Sequence, residues 1–518
     1  MSATSQSAGT GSLYQFFAPG GVLAKTHPAY EFRRGQLQMA EAVQQALNDR
    51  RHLIVEAGTG TGKTLAYLLP ILRSGKRVIV STGTKNLQEQ LYYKDIPFLS
   101  QHMPELKVCY MKGRNNYLCR KKLYDLADQP VLSGLDEIDQ YDAIVEWDKT
   151  TQTGDRAELA VLPESSLLWP KLDARNDTCI GQKCQQWERC FITEMHRKAM
   201  ESDVIIVNHH LFFADLAIKM AADGAPDAGI LPEAAAVVFD EAHELEDVAG
   251  GYFGVSISTA RFEEVVRDAE HMLDREKILS ASLQQALESL RERAQFFFAQ
   301  LPQGPGGRAE SRFPFERRAE FLEENGDGYI SLQRAITRVA TELQAMANKP
   351  EELHNMVRRC EELRAHLGFI LESKDRNTVF WIERRGGVAR VSDPRGHGPQ
   401  TRATQTRATQ FPGRQHVYLQ ATPIDVSEIL RHSLFEQYQT IVLTSATLAV
   451  GGGFAYLKQR LGLENARELI VPPHFDYEQQ ALLYIPPDLP DPREPQFAPR
   501  AADRIRRILE ISRGRAFC

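Results

Sequence analysis

Residues 52–64 read His-Leu-Ile-Val-Glu-Ala-Gly-Thr-Gly-Thr-Gly-Lys-Thr, and an apolar stretch, Leu65 to Leu72, follows directly. Residues 52–55 are typical of a short buried strand, and the stretch after residue 64 is typical of a helix. The glycine-rich loop between them ends in Lys63-Thr64. It departs from the phosphate-loop pattern, Gly-x4-Gly-Lys-Ser/Thr, only at its first position, where Ala57 stands. Strand, loop and helix in this order predict a site for the phosphates of a nucleotide.

The chemistry of the loop explains why these residue types are needed. Glycines let the backbone curl so that successive N–H groups face one anion, and the start of the helix adds its positive dipole end. The side chain of Lys63 can reach the β- and γ-phosphates, and the hydroxyl of Thr64 can bind Mg²⁺. The predicted nucleotide-binding residues of the loop are Ala57, Gly58, Thr59, Gly60, Thr61, Gly62, Lys63 and Thr64.

A second acidic pattern follows another apolar run. Val237-Val238-Phe239 leads into Asp240-Glu241-Ala242-His243. Ligands of open α/β sheets bind at the carboxyl ends of the strands, where these acids would lie. We expect Asp240 to hold Mg²⁺, Glu241 to orient or deprotonate the attacking water, and His243 to link the nucleotide to other elements. The alternative is an acidic helix start, because carboxylates stabilise the first helical turn.

The fold class is predicted to be α/β with a parallel sheet. Short apolar, β-branched runs alternate with helix-compatible segments such as Arg34 to Asn48, as expected for strands covered on both faces. The runs are 53–55, 78–80, 108–110, 204–207, 237–239 and 441–443. A further strand is predicted at 482–485 and a helix at 501–511. Two stretches interrupt this rhythm and read as insertions. They are 114–194, and 250–415 with its helical patterns at 261–301 and 331–366. Residues 385–416, which contain a tandem TRATQ repeat (401–410), are expected to form a mobile loop.

Length and composition exclude some classes of protein. The 518 residues predict three or four domains, and 25% charged residues with a net charge of −6 are ordinary for a globular protein. No apolar run reaches the ~18 residues of a membrane helix, so we expect no membrane span. The opening residues have no basic and apolar signal region, so we expect a cytoplasmic protein. The mild acidity argues neither for nor against nucleic acid, because binding needs only a local basic surface.

Four of the seven cysteines are clustered: Cys119, then Cys179-x4-Cys184-x5-Cys190. In a reducing compartment, clustered thiols indicate metal ligands more often than disulfides. Four thiolates can hold Zn²⁺ or an iron–sulfur cluster, and the two tight Cys-x2-Cys pairs that are usual in zinc sites are missing. Buried free thiols are the structural alternative, as we expect for Cys109 and Cys360.

Basic residues alternate with tyrosines near the first of these cysteines. Basic groups bind phosphates and aromatic rings stack on bases, so the pattern suggests single-stranded nucleic acid. The alternative is a solvated charged face with core tyrosines. The residues concerned are Lys112, Arg114, Arg120, Lys121 and Lys122 with Tyr110, Tyr117 and Tyr124. Residues 380–385, Phe-Trp-Ile-Glu-Arg-Arg, are similar and are explained equally well by a buried edge strand.

The ordered set of motifs resembles the superfamily 2 helicases. The glycine-rich loop and Asp240-Glu241-Ala242-His243 resemble motifs I and II. By this resemblance Arg34 and Gln36 read adenine. The segment Ser81-Thr82-Gly83-Thr84 resembles motif Ia, and its Thr82 and Thr84 are implied to contact DNA. The segment Thr444-Ser445-Ala446-Thr447-Leu448 resembles motif III, and its Ser445 and Thr447 are implied to couple hydrolysis to strand movement. Lys112, Arg114 and Tyr117 are added as candidate DNA contacts.

Four cysteines between motifs Ia and II are similar to those of the iron–sulfur helicases of the XPD and bacterial DinG type. The resemblance implies a [4Fe-4S] cluster on Cys119, Cys179, Cys184 and Cys190, with ATP and Mg²⁺ as the other cofactors. It implies a RecA-like sheet with an inserted iron–sulfur domain and an inserted helical arch. It also implies 5′→3′ movement on single-stranded or forked DNA by a monomer near the bacterial nucleoid, with replication or repair proteins as partners.

The predicted domains follow from these matches. They are a disordered tail (1–16), a first motor domain (17–113 and 195–249, returning at 416–450), an iron–sulfur domain (114–194), an arch (250–415) and the start of a second RecA-like domain (451–518). The Gln-x-x-Gly-Arg-x-x-Arg motif of the family's second motor domain does not occur in this sequence. We therefore expect the 518 residues to bind ATP but to hydrolyse it poorly. The alternatives are a nucleotide- and DNA-binding protein without motor activity, and an RNA-directed ATPase that carries zinc.

Overall fold

The computed structural model describes residues 12–26, 30–101, 106–128, 135–163, 166–175, 179–222, 229–304, 311–346, 351–387, 413–480 and 482–514. The strands are β1 His52–Ala57, β2 Val78–Thr82, β3 Val108–Tyr110, β4 Val204–Asn208, β5 Ala236–Asp240, β6 Val255–Ser258, β7 Ser311–Pro314, β8 Thr378–Gly387, β9 Gly413–Pro423, β10 Thr440–Ser445 and β11 Ala466–Val471. The TRATQ repeat lies outside the described residues.

The helices of the first half are α1 Leu13–Phe17, α2 Val22–Thr26, α3 Arg34–Asp49, α4 Lys63–Arg73, α5 Lys85–Gln90, α6 Ile96–Ser100, α7 Arg120–Asp128, α8 Leu135–Asp148, α9 Trp169–Leu172, α10 Phe191–Glu201, α11 His209–Ala221 and α12 Leu245–Phe253. The later helices are α13 Thr259–Arg275, α14 Ala281–Gln300, α15 Arg318–Ala345, α16 Glu351–Glu372, α17 Ser427–Leu430, α18 Ala455–Leu461, α19 Tyr477–Gln480 and α20 Phe497–Ser512.

The predicted parallel sheet is confirmed. Seven strands pair in the order β11-β1-β10-β5-β2-β4-β3, and all six apolar runs are among them. Alternate residues of β1 enter different cores, Ile54 on one face and Val55 on the other, because successive side chains of a strand point to opposite faces. Strand β10 lies between β1 and β5, so that Thr444 pairs with Val55 on one side and Asp240 on the other.

The first insertion follows β3 and is built on α7, α8 and α9 with short 3₁₀ turns between them. Its small core is separate from the cores of the sheet. The buried members are Leu118, Leu123, Ile144, Leu159, Leu162, Leu168, Trp169, Leu172 and Phe191. This region therefore has enough apolar residues to form a domain of its own around the cysteines.

The second insertion has the predicted helices, α13 to α16, but also an antiparallel sheet in the order β6-β9-β8-β7. Residues 380–385 form part of β8, which lies inside this sheet rather than at its edge. Phe380 and Ile382 are buried against the helices, whereas Trp381 is part-exposed and Arg385 is exposed. The aromatic–basic pattern thus reflects the alternation of a half-buried strand.

Two domain boundaries differ from the prediction. Helix α1 begins at Leu13, with Ser12 and Gln15 forming a capping box, so residues 13–16 form a helix rather than part of the predicted disordered tail. Residues 1–11 of that predicted tail lie outside the described residues. Strand β11 pairs in parallel with β1, so residues up to 471 belong to the first sheet rather than to a second domain.

The chain divides into two compact units, Met1–Pro472 and Pro473–Cys518. The second unit contains α19 and α20, which covers the predicted helix at 501–511. The strand predicted at 482–485 is absent, and Leu482 there is 93% exposed. Within the described ranges, no helix combines the length and apolar character that a bilayer crossing requires.

Candidate functional site

The glycine-rich loop adopts a backbone that needs glycine. Gly60 and Gly62 have φ of 86° and 80°, in the left-handed region that residues with a Cβ rarely enter. The hydroxyl of Thr61 donates to the carbonyl of Gly58 at 2.8 Å and closes the turn. Helix α4 begins at Lys63, so Lys63 and Thr64 lie in its first turn, where a helix attracts anions.

Two side chains at the start of α3 donate hydrogen bonds to carbonyl groups of the glycine-rich loop. Nε2 of Gln36 donates to the carbonyl of Gly62 at 3.0 Å, and the Arg33 guanidinium donates to the carbonyl of Gly60. A Cβ on Gly62 would lie 2.3 Å from Nε2 of Gln36, so the two residues fit only with glycine at 62. Arg34, the other predicted adenine contact, is exposed at the start of α3. Arg33 was not predicted, because its contact is with a loop 27 residues away.

The acids after β5 meet the helix that follows the loop. Asp240 is 6% exposed, and its Oδ2 accepts a hydrogen bond of 3.0 Å from the hydroxyl of the fully buried Tyr67 in α4. Burial raises the pKa of Asp240 to about 6, and the charge of Glu241 acts in the same direction, while the Tyr67 bond and Lys63 oppose the rise. Lys63 and Asp240 are therefore neighbours in one site.

Glu241 has an unusual backbone. Its φ is 59° and its ψ is 45°, the left-handed conformation, which costs about 1–3 kcal/mol for a residue other than glycine. Its Oε2 accepts a hydrogen bond of 2.9 Å from the hydroxyl of Ser445 at the end of β10. Nδ1 of His243 lies 2.9 Å from the same hydroxyl. These three predicted residues form one hydrogen-bonded group, while Thr447 is exposed beyond the strand.

Glu56 adds a second link to the segment after β10. Its Oε2 accepts hydrogen bonds of 2.6 Å from the backbone N–H groups of both Leu448 and Ala449. Glu56 precedes the phosphate loop, so the end of β1 is bonded directly to the segment after Ser445. No local sequence pattern indicates this contact, because a lone glutamate at the end of a strand has many common roles.

The segment predicted to contact DNA lies beside the acidic motif. The Ser81 hydroxyl and Nδ1 of His209 are 2.7 Å apart, and His209 is 0% exposed. Burial lowers the pKa of His209 to about 4, so its ring is neutral at physiological pH, while the backbone at Glu241 and Asp240 acts to raise that pKa. A Cβ on Gly83 would lie 2.5 Å from Oε2 of Glu244, so that carboxylate sits against the same segment.

The two threonines of this segment differ in exposure. Thr82 is buried, and its hydroxyl donates to the carbonyl of Thr84 at 3.2 Å. Thr84 is exposed and caps α5 by accepting from the N–H of Leu87 at 3.3 Å. Of the two predicted DNA contacts, only Thr84 is open to a strand.

The structure corrects the prediction for the basic residues before α7. Lys112 is 3% exposed and pairs with Glu89 at 2.8 Å and with Asp155 at 2.7 Å. Tyr117 is 4% exposed, and its hydroxyl accepts from the N–H of Lys112 at 3.0 Å. Nε of Arg114 donates to the carbonyl of Ala174 at 2.9 Å. These groups join the first insertion to the sheet, and neither Lys112 nor Tyr117 is available to DNA in this conformation.

The four predicted cysteine ligands are free thiols of intermediate exposure. Cys119 directly precedes α7 and Cys190 caps α10, and a helix N-terminus favours a thiolate. Burial raises the pKa of the Cys119 thiol; Lys122 opposes this, and the thiols of Cys190 and Cys179 add to it. These are the donors that an iron–sulfur cluster requires. Within the described residues, however, no three Cys, His, Asp or Glu side chains are arranged as a metal site.

The comparisons with known proteins agree with this site. The DEAD/DEAH box helicase family matches residues 36–164, which include the phosphate loop. The ATP-dependent DNA helicase YoaA of Escherichia coli (strain K12) is 34% identical over 510 residues, covering 97% of this chain and 73% of YoaA. The chain belongs to the family of YoaA and DinG-type helicases.

Two more distant similarities were also found. The ATP-dependent helicase DinG of Mycobacterium tuberculosis (strain H37Ra) is 27% identical over 494 residues, covering 89% of this chain and 66% of DinG. A solved XPD helicase structure aligns with 92% of this chain and 70% of its own, with 16% identity and a TM-score of 0.45.

The raised pKa of Asp240 predicts how stability depends on pH. The folded chain keeps the Asp240 proton up to about pH 6, whereas the unfolded chain loses it near pH 3.8. Ionisation of the buried carboxyl therefore lowers the free energy of unfolding progressively between these pH values, and the full loss is reached by pH 8. In EDTA, Asp240→Asn should stabilise the nucleotide-free protein at pH 8 by about 1–3 kcal/mol. The gain should fall by more than half at pH 4.5 in urea unfolding.

The exposed Asp247 of α12 provides the control. Asp247→Asn should change the free energy of unfolding by less than about 0.5 kcal/mol at either pH. If Asp240→Asn raised the free energy of unfolding by the same amount at both pH values, the result would contradict a raised pKa for the buried Asp240 carboxyl.

Proposed function

We propose that the chain is the ATP-driven motor of a DNA helicase. The observation that supports this most directly is the position of β10, which carries Ser445, between the phosphate-loop strand β1 and the acidic strand β5. The Tyr67–Asp240 bond crosses between the same elements. One pocket at this edge of the sheet would receive the phosphates on Lys63 and the backbone of the loop.

Each side chain has a proposed part in hydrolysis. Thr64 and Asp240 would hold Mg²⁺, which when bound neutralises charge on the β- and γ-phosphate oxygens. Asp240, with a pKa of about 6, is ionised at neutral pH and suited to this role. Glu241 would orient the attacking water and accept its proton, while the Ser445 hydroxyl fixes the direction of its carboxylate. Gln36, beside Gly62, would contact the adenine together with Arg34.

Coupling to DNA is proposed to run through the hydrogen bonds of the acidic motif. Ser445 and His243 connect Glu241 to the end of β10. His209, which is bonded to Ser81, packs against Phe239, the residue before Asp240. A change at the γ-phosphate is proposed to reach the exposed Thr84 through these hydrogen bonds and through this packing contact. Thr447 is proposed to follow the same movement.

The DNA is proposed to be single-stranded or forked, with movement in the 5′→3′ direction as the family resemblance implies. YoaA of Escherichia coli is named a DNA helicase, which supports DNA rather than RNA as the nucleic acid. We further propose a monomer in the bacterial cytoplasm, near the nucleoid, with replication or repair proteins as partners. Displacement of streptavidin from a 3′-biotinylated but not a 5′-biotinylated oligonucleotide would demonstrate the direction.

We also propose that Cys119, Cys179, Cys184 and Cys190 hold a [4Fe-4S] cluster. The support is the donor set, with two thiols at helix starts and two beside the 3₁₀ turn Gly181–Lys183. Nδ2 of Asn355 in α16 donates to the carbonyl of Cys179 at 3.2 Å, so the cysteine region also contacts the arch. The cluster would brace the first insertion.

Nucleotide binding tests the motor proposal. Lys63→Ala should weaken binding of a fluorescent ATP analogue with Mg²⁺ at least about tenfold, because the phosphates lose a charged partner. Glu241→Gln should bind the analogue within about threefold of the unsubstituted protein, yet lower DNA-stimulated ATP hydrolysis about 10²–10⁴-fold. Lys25→Ala, at the end of α2, is the matched control and should change neither quantity.

The same measurements separate the two candidate functions. If the protein binds ATP tightly but single-stranded DNA does not stimulate ATP hydrolysis, the nucleotide- and DNA-binding alternative is favoured. Unchanged ATP binding by Lys63→Ala would contradict both.

Metal analysis tests the cluster independently of activity. Anaerobically purified protein should show broad visible absorbance and about four irons per chain, and Cys184→Ser should lose most of both. Cys109→Ala should keep them, because burial raises the pKa of the Cys109 thiol to about 11 and leaves it inert. Stoichiometric zinc in place of iron would refute the cluster.

A further inference from the structure

A groove of 850 Å³ runs between helices α15 and α16, on the second insertion. Arg334 and Arg338 line its side on α15, and Arg364 lines its side on α16. It shares no residue with the nucleotide pocket or the cysteine region. An explanation of this groove therefore does not depend on the motor proposal.

The rim of the groove is positively charged. Arg334 and Arg364 are exposed, and neither has an ion pair with any residue that the structure describes. Arg338 pairs with Glu342 at 3.0 Å. The one carboxylate among the lining residues, Glu372, accepts a hydrogen bond from the hydroxyl of Tyr329. Two guanidinium groups on facing sides of one groove thus have no ion pair among the described residues.

The floor is mainly apolar. Ile330 is 46% exposed and Phe369 is 40% exposed, although each lies on a helix whose other face is buried in the arch core. Gly368 is also among the lining residues, and a Cβ there would lie 3.6 Å from the hydroxyl oxygen of Tyr329. Oε1 of Gln333 is buried at the base without a hydrogen-bond partner among the described residues.

We propose that this groove binds an acidic amphipathic helix of a partner protein. Residues 329 to 338 of α15 extend for about 13 Å, which matches about two and a half turns of a bound helix. Apolar side chains of that helix would cover Ile330 and Phe369, as in other helix-in-groove complexes. Its carboxylates would pair with Arg334 and Arg364 in the forked geometry that arginine favours.

Single-stranded DNA fits the groove less well. Strand-binding grooves combine basic groups with several rings on which bases stack. Here Phe369 is the one ring face that is substantially exposed, because Tyr329 is 7% exposed and its hydroxyl is bonded to Glu372.

A designed peptide tests the proposal on the whole chain. The probe is a fluorescein-labelled 14-residue helix with Leu at positions 2, 6, 9 and 13 and Glu at the flanking positions, measured by anisotropy. The unsubstituted protein should bind it saturably. Arg334→Glu with Arg364→Glu should weaken the affinity at least about tenfold, because both charge pairs become repulsive. Arg293→Glu, exposed on α14, makes the same kind of charge change away from the groove and should shift the affinity less than about twofold.

Three further measurements separate the explanations. Phe369→Ser should weaken binding about fivefold or more through the lost apolar contact, while the melting temperature reports whether the arch still folds. A peptide with Lys in place of every Glu should not bind. The proposal is overturned if binding of the acidic peptide does not saturate, or if Arg293→Glu weakens binding as much as the double substitution does. It is also overturned if a dT15 oligonucleotide binds in place of the peptide and its affinity depends on Arg334 and Arg364 in the same way.

Discussion

The hydrogen bond between Tyr67 and Asp240 is the contact on which the nucleotide pocket depends. It joins the helix after the phosphate loop to the acid at the end of β5, across the width of β10. Both groups are buried, so breaking the bond would leave polar atoms away from water, at a cost of about 1–3 kcal/mol. The bond also fixes the distance between the two elements that are proposed to hold one magnesium–nucleotide complex.

The end of β10 extends this arrangement. Glu241, Ser445 and His243 share a hydrogen-bonded group, and Glu56 binds the backbone just beyond. The strained φ of Glu241 is retained inside this group, as is common where a backbone positions a reacting side chain. Three parts of the sequence separated by more than 180 residues are thereby held together at one edge of the sheet.

Much of the motor fold could be predicted because its local patterns are strong. Continuous β-branched runs indicated six of the seven predicted strands, and the glycine loop predicted the phosphate site that we propose. What failed depends on distant partners. Lys112 has no acid near it in sequence, yet Glu89 and Asp155 reach it in the fold and bury its charge. Strand β11 was assigned to a second domain, because no local pattern shows that it pairs with β1.

The site was predictable to a similar extent. Lys63, Asp240, Glu241 and Ser445 belong to motifs whose residue types identify their chemistry, and the structure brings them together. Tyr67, Glu56 and His209 are ordinary residues in sequence and gain their importance only from contacts across the sheet. The four cysteines stand between these cases, because their donor types are informative whereas their spacing did not distinguish iron from zinc.

A double-mutant cycle tests the central claim that the phosphate loop and the acids form a single pocket. The affinity for the magnesium complex of a slowly hydrolysed ATP analogue is measured for the unsubstituted protein, Thr64→Val, Asp240→Asn and the double variant. If both side chains act on one metal–nucleotide complex, the two losses should be coupled by about 1 kcal/mol or more. Losses that add to within about 0.3–0.5 kcal/mol would place the two groups in separate sites and contradict the account.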